Sequence, residues 1–161
     1  MSDDRLEKLE RYGAAYGALR LGIARFPREM WQYRSPLEDW TIHEILVHIA
    51  DSEANSFLRL RRLVAEPGQA VLGYDENAWA RQLDYHSQSP DDALELFRWL
   101  RHNSYALVKG LPAATWSHTI QHSENGLMTM DDWLDVYARH IPDHLAQMDR
   151  IHAEWQRRQS S

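Results

Sequence analysis

The chain has no cysteine among its 161 residues, which excludes disulfide staples, thiol nucleophiles, Cys-based zinc sites and CxxC redox chemistry. It is also short of basic charge: 18 Lys and Arg against 24 Asp and Glu leave a net charge of −6. Nucleic-acid binders usually carry a basic stripe, so this balance argues against nucleic acid as a partner. Apolar runs are only a few residues long and the chain opens MSDDRLEKLE. Neither a membrane span nor a signal peptide is expected, and the expected location is cytoplasmic. A Gly-rich phosphate loop, a GxSxG elbow and an HExxH motif are missing too, which removes the commonest signatures of nucleotide, acyl-transfer and zincin chemistry. No internal repeat, low-complexity tract or linker divides the chain. The expectation is one domain over residues 1–161, long enough to bury roughly 70% of its unfolded surface.

What the sequence does contain is helical periodicity, 7 Trp and 9 His. Leu6, Leu9, Tyr12, Tyr16, Leu19 and Ile23 recur three or four apart and predict a first helix from about Asp3 to Ile23, broken by Pro27 and RSPLEDW. Thr41 followed by Glu44 is a capping box that opens a second helix. Its stripe of Ile42, Ile45, Leu46, Ile49, Phe57, Leu60, Leu63 and Val64 ends at Pro67 and Gly68. Residues 71–90 read as connection, with a short helix from Glu76 to Leu83 capped by Asp75. Ser89 and Pro90 supply a cap and an N1 proline for a third long helix, which stops at Gly110 and Pro112. Residues 111–128 read as a loop. Thr129 and Asp132 then open a last helix running to about Gln156. Four long helices with two long connections predict an all-α four-helix bundle.

Candidate chemistry centres on histidine. At 100° per residue, Trp133, Tyr137, His140, His144, Met148, Ile151 and Trp155 share one face of the last helix. His140 and His144 thus stand one turn apart on an apolar face, a spacing at which two imidazoles can share a metal ion. The bland alternative is a pair of hydrogen-bonded core histidines. Pro142 lies between them; it either is a tolerated kink or adjusts the angle between the rings. A third ligand is available in the second helix, where His48 lies on the flank of the stripe with Thr41, Ser52 and Arg59, and His43 on the opposite flank reads as a surface residue.

Glu53 projects near the middle of the second helix's apolar stripe. A buried carboxylate needs a partner, so Glu53 either orients a ligand histidine or a reacting water, or bonds Arg or Tyr as a structural device. His118 and His122 form a second i,i+4 pair within ATWSHTIQHSENG. Beside β-branched residues and an Asn-Gly turn, the helical spacing argument fails there, although one of them can face a site, and His122 joins Glu53 as a candidate base. Trp40, Trp79, Trp99 and Trp133 read as core and bundle ends.

These pieces resemble a known family. WTIHEILVHIADSEANSFLRLRRLVAEPG, GYDENAWARQLDY and YARHIPDHLAQM are similar to segments of the DinB-like superfamily, in particular its YfiT-type branch of metal-dependent hydrolases. The likeness runs from about Trp40 to Ile151, and its most specific element is a His before A-D-S combined with a distal H-x-x-x-H. The resemblance implies a four-helix bundle, often a homodimer, with a divalent metal, zinc or nickel foremost, held by His48, His140 and His144. It also implies a small-molecule substrate and either hydrolysis or transfer to a low-molecular-weight thiol. The alternative is a bundle that binds a metal or small molecule without catalysis.

Overall fold

A computed structural model describes residues 3–160, and its long helices follow the periodicity of the sequence. They are α1 (Asp3–Ile23), α2 (Ile42–Ala65), α4 (Pro90–Val108) and α5 (Met130–Gln159), with a short α3 (Glu76–Gln82) between α2 and α4. The starts are set by side-chain caps. Thr41 and Glu44 exchange hydrogen bonds with each other's backbone at the head of α2, and Thr129 and Asp132 do the same at α5. Asp75 caps α3, and Ser89 caps α4 with Pro90 behind it. α5 passes through Pro142 without interruption, and that residue is exposed.

Of the three pairs of consecutive long helices, only α2 and α4 pack side by side. α1 packs chiefly on α5 and α4, and α2 chiefly on α4 and α5. Around the bundle the order is therefore α1, α4, α2, α5, with α1 diagonal to α2 and α4 diagonal to α5. Each diagonal step needs a connection that crosses an end of the bundle, which accounts for the long segments after α1 and α4.

The connections after α2 and α4 hold a feature absent from the loop expectation. Ala70–Val71 (β1) pairs in parallel with Thr119–His122 (β2), which pairs antiparallel with Gly126–Thr129 (β3). Residues 123–125 close the β2–β3 hairpin, with His122 opposite Gly126. Gly126 takes φ +72°, a left-handed conformation that this short hairpin turn needs and a side chain would resist. Ile120 and His122 face inward while Gln121 faces out, so β2 carries His122 into the protein.

The core forms two apolar clusters. One joins Leu19, Ile45, Phe97 and Ile141 with their neighbours, and the other joins Leu9, Leu60, Val108 and Trp133. Between them lies a buried ion pair. Arg101 of α4 donates to both oxygens of Glu53 on α2, at 2.6 and 2.9 Å. It also donates to the Tyr12 carbonyl of α1 and the Tyr137 carbonyl of α5, at 3.1 and 3.4 Å. The Tyr12 hydroxyl donates to Glu53 at 3.0 Å. One guanidinium thus touches all four long helices.

Two surface assignments change. His43 is buried, its Nε2 2.8 Å from the Gln88 carbonyl, because the α3–α4 connection folds back over that flank of α2. Trp99 is 53% exposed on the outer face of α4, where the Arg98 guanidinium covers its ring 4.4 Å from the centroid. Trp133 is fully buried, and Trp40 and Trp79 are partly so.

Candidate metal centre

The α2–α5 contact brings together three histidines far apart in sequence. One ligand nitrogen each from His48, His140 and His144 lies within 4.8 Å of the other two. His48 is 1% exposed, and its ring centroid lies 5.4 Å from that of His140 and 5.0 Å from that of His144. The i,i+4 spacing on α5 puts Nε2 of His140 3.1 Å from Nε2 of His144. Two nitrogens on one ion at 2.0–2.1 Å are separated by roughly 2.9 Å at a right angle and roughly 3.4 Å at the tetrahedral angle. The observed spacing falls between these values.

The electrostatics also suit metal binding. Burial, reinforced by the charge His144 would carry, pushes the His48 pKa down to about 3. Burial and the two neighbouring imidazoles hold His140 well below its ordinary value, and burial lowers His144. All three rings are therefore neutral at neutral pH, the state in which imidazole binds a cation.

His144 is oriented from outside. Its Nδ1 lies 2.9 Å from Oε1 of Gln147. Gln147 in turn donates from Nε2 to Glu38, whose other oxygen accepts from Arg150. That chain fixes the amide so that its oxygen faces the ring. His144 Nδ1 then carries the proton and Nε2 keeps its lone pair for the cluster, an arrangement common behind metal-bound histidines. Trp40 packs on His48 with centroids 4.5 Å apart. Nδ1 of His48 and Nδ1 of His140 are buried without a hydrogen-bond partner. Two such orphans in one cluster are costly in a plain core, which tells against a set of merely structural histidines.

A cavity of about 170 Å³ adjoins the cluster, its wall including Arg59, Tyr74, Glu76, His122, Tyr137 and His140. Arg59 donates to the Tyr137 hydroxyl at 2.8 Å and to the Leu72 carbonyl at 3.3 Å. Burial and the charge of Glu76 raise the Tyr74 pKa. Burial also raises Glu76, against the opposing pull of Arg59. His122, 2% exposed, is lowered by burial and then by Arg59.

Of the two acid–base candidates, His122 therefore lies in the cavity wall with His140, while Glu53 has other work. With both oxygens on Arg101 and Tyr12 and no exposure, Glu53 makes the Arg and Tyr bonds of its structural reading and is not among the residues of the cavity wall. His118 turns away, its Nδ1 2.9 Å from the Leu63 carbonyl. Sequence reasoning passed over Gln147 and Glu38, which orient His144, and Tyr74 in the cavity. Gln147 could have been found as the polar residue one turn beyond His144; Glu38 and Tyr74 arrive from connections with no periodicity to place them.

Residues 12–148 match the profile of the DinB superfamily. The chain belongs to this superfamily. It is 29% identical over 112 residues, 70% of its length, to a protein of Oceanobacillus iheyensis whose name proposes a metal-dependent hydrolase, and the match spans 64% of that relative. A relative named in the same way, YfiT of Bacillus subtilis, is 28% identical over 123 residues, 74% of this chain and 69% of YfiT. Among solved structures, the fold matches Bacillus subtilis YfiT, described as a four-helix bundle of unusual topology, with a TM-score of 0.83 at 22% identity over 94% of this chain and 87% of that one. No helix among the described residues is long and apolar enough to cross a membrane.

Proposed function

We propose that this chain is a divalent-metal-dependent enzyme acting on a small molecule, with His48, His140 and His144 as the metal ligands. The observation that carries the reading is the convergence of three neutral imidazoles beside a polar cavity. Three histidines leave coordination positions open, as catalytic rather than structural sites do. A cation held there would supply Lewis acidity and lower the pKa of the oxygen or sulfur group it binds.

The chain's own residues set the rest. Gln147 holds the His144 ring in register, and Trp40 walls the His48 side. Arg59, fixed by Tyr137 and the Leu72 carbonyl, presents a positive charge to the cavity. Glu76, whose carboxyl is pushed toward its protonated form, is the group in the wall suited to moving a proton, and His122 stands beside it as a hydrogen-bonding ring. Hydrolysis is the reading favoured by this set and by the names of the relatives. Transfer to a low-molecular-weight thiol is the second reading. It is favoured by a larger cleft of about 580 Å³ that meets Trp40 and carries charges of both signs, including Arg34, Arg81, Asp39 and Asp84, as a thiol bearing amino-acid or sugar groups would require.

Metal-reconstituted protein incubated with ester and amide substrates, and separately with thiol–acceptor pairs, tests both. Turnover that is abolished by chelator and needs no thiol is the expected result. Turnover that needs the thiol would replace hydrolysis with transfer, and metal retention without any turnover would leave a binding bundle.

A further inference from the structure

The three-His centre leaves the neighbouring cavity without an assigned ligand, yet the cavity concentrates unfilled hydrogen-bonding capacity. Nε2 of His122, Nδ1 of His140 and the Tyr74 hydroxyl are buried, have no hydrogen-bond partner, and belong to residues of its wall. A buried polar group left without a partner is costly. Three around one 170 Å³ space point to a ligand that fills them.

The backbone decides what His122 can offer. Nδ1 of His122 accepts from the amides of Glu124 and Asn125, at 3.2 and 3.3 Å. Both belong to the β2–β3 turn that Gly126 permits. A nitrogen accepting two N–H groups holds a lone pair, so the proton of the neutral ring sits on Nε2. His122 is therefore a fixed donor rather than a base. Tyr74 brings a hydroxyl, and Arg59 brings N–H groups and charge. Glu76 and Glu124 also belong to the wall, so the field is not that of a general anion trap. The unfilled donors define the ligand.

We propose that this cavity is an acyl-oxygen subsite, in which His122 Nε2–H, assisted by Tyr74 and Arg59, donates to a carbonyl or carboxylate oxygen of the substrate. It deepens the function proposed above and rests on that reading for placing the reacting group beside His140. His122 is thereby the residue that holds the acyl oxygen. The turn amides fix the ring, which forms part of the cavity wall.

The test uses full-length, zinc-reconstituted protein with labelled histidine, long-range proton–nitrogen correlation spectra, and acetate and acetamide as probes. The expected His122 spectrum is that of the Nε2–H tautomer, with its proton shifting as either probe is added. A response to acetate alone would narrow the ligand to a carboxylate, and a response to acetamide alone to a neutral carbonyl; both support the subsite. His122→Asn keeps an acceptor for the turn amides but is too short to place a donor at the Nε2 position, so probe affinity should fall about tenfold. His122→Gln, which can place an N–H near Nε2, should stay within about threefold of wild type. Zinc stoichiometry should be unchanged in both variants. An Nδ1–H tautomer, a His122 signal that neither probe moves, or a His122→Asn variant that binds both probes as wild type does would overturn the proposal. Failure of the wild type to take up zinc would instead count against the three-His reading, while the tautomer and the probe titrations would still be read on the metal-free chain.

Discussion

At the scale of single residues, the centre depends on holding neutral rings in place. His144 is aimed by Gln147, so Gln147→Leu should leave the fold intact and weaken zinc binding about 10- to 100-fold, the usual effect of losing an orienting partner. Competition against a chromophoric chelator measures this, and an unchanged affinity would dismiss the Gln147–Glu38–Arg150 chain as ornament. His48 gives a second prediction, this one for metal-free protein. Its pKa is about 6.5 in the unfolded chain and about 3 in the folded one. Below pH 6.5 the unfolded chain binds more protons, so the His48 contribution is whole above that pH and is lost as pH falls toward 3. The slope for this one group reaches about 1.4 kcal/mol per pH unit. Urea titrations in chelator should therefore show stability declining less steeply on acidification in His48→Gln than in wild type. Identical slopes would mean that His48 is not buried neutral.

At the scale of elements, the Glu53–Arg101 pair ties α2 to α4 and, through two carbonyls and a hydroxyl, to α1 and α5. Glu53→Gln leaves the Arg101 charge uncompensated at 1% exposure, and should destabilise the protein by about 3–5 kcal/mol. Denaturant unfolding measures it; a loss under 1 kcal/mol, roughly that of an exposed pair, would show that water reaches the guanidinium. This pair was half legible in the sequence. Glu53 stood out in the α2 stripe, and Arg101 occupies the equivalent place in α4 among Phe97, Ser104 and Val108, but two anomalous charges declare a contact only once the helices are packed. Helix starts were legible because caps are local chemistry: Thr41, Asp75, Ser89 and Thr129 each serve a backbone amide three residues on. The strands were not, because four residues of β2 give two periods of alternation, and β1, with two residues, gives one. That is why His122 read as a loop residue rather than as one carried inward by a strand.

At the scale of the whole molecule, the bundle was legible and its helix order was not. Periodicity shows which face of a helix is apolar, but not which neighbour covers it, and the diagonal arrangement follows from connections whose paths carry no such signal. The histidine cluster shows the same division. His140 and His144 share a face by spacing alone, whereas His48 joins them only because α2 packs against α5. The central claim, that these three rings together hold one divalent ion, is tested most directly by elemental mass spectrometry of untagged protein after reconstitution with zinc, nickel, manganese or iron. Wild type is compared with His48→Ala, His140→Ala and His144→Ala, each checked for helical content. The account predicts about one ion per wild-type chain and its loss in every variant with the helices retained. A wild type that takes up none of the four metals, or a variant that keeps the full complement, would contradict it.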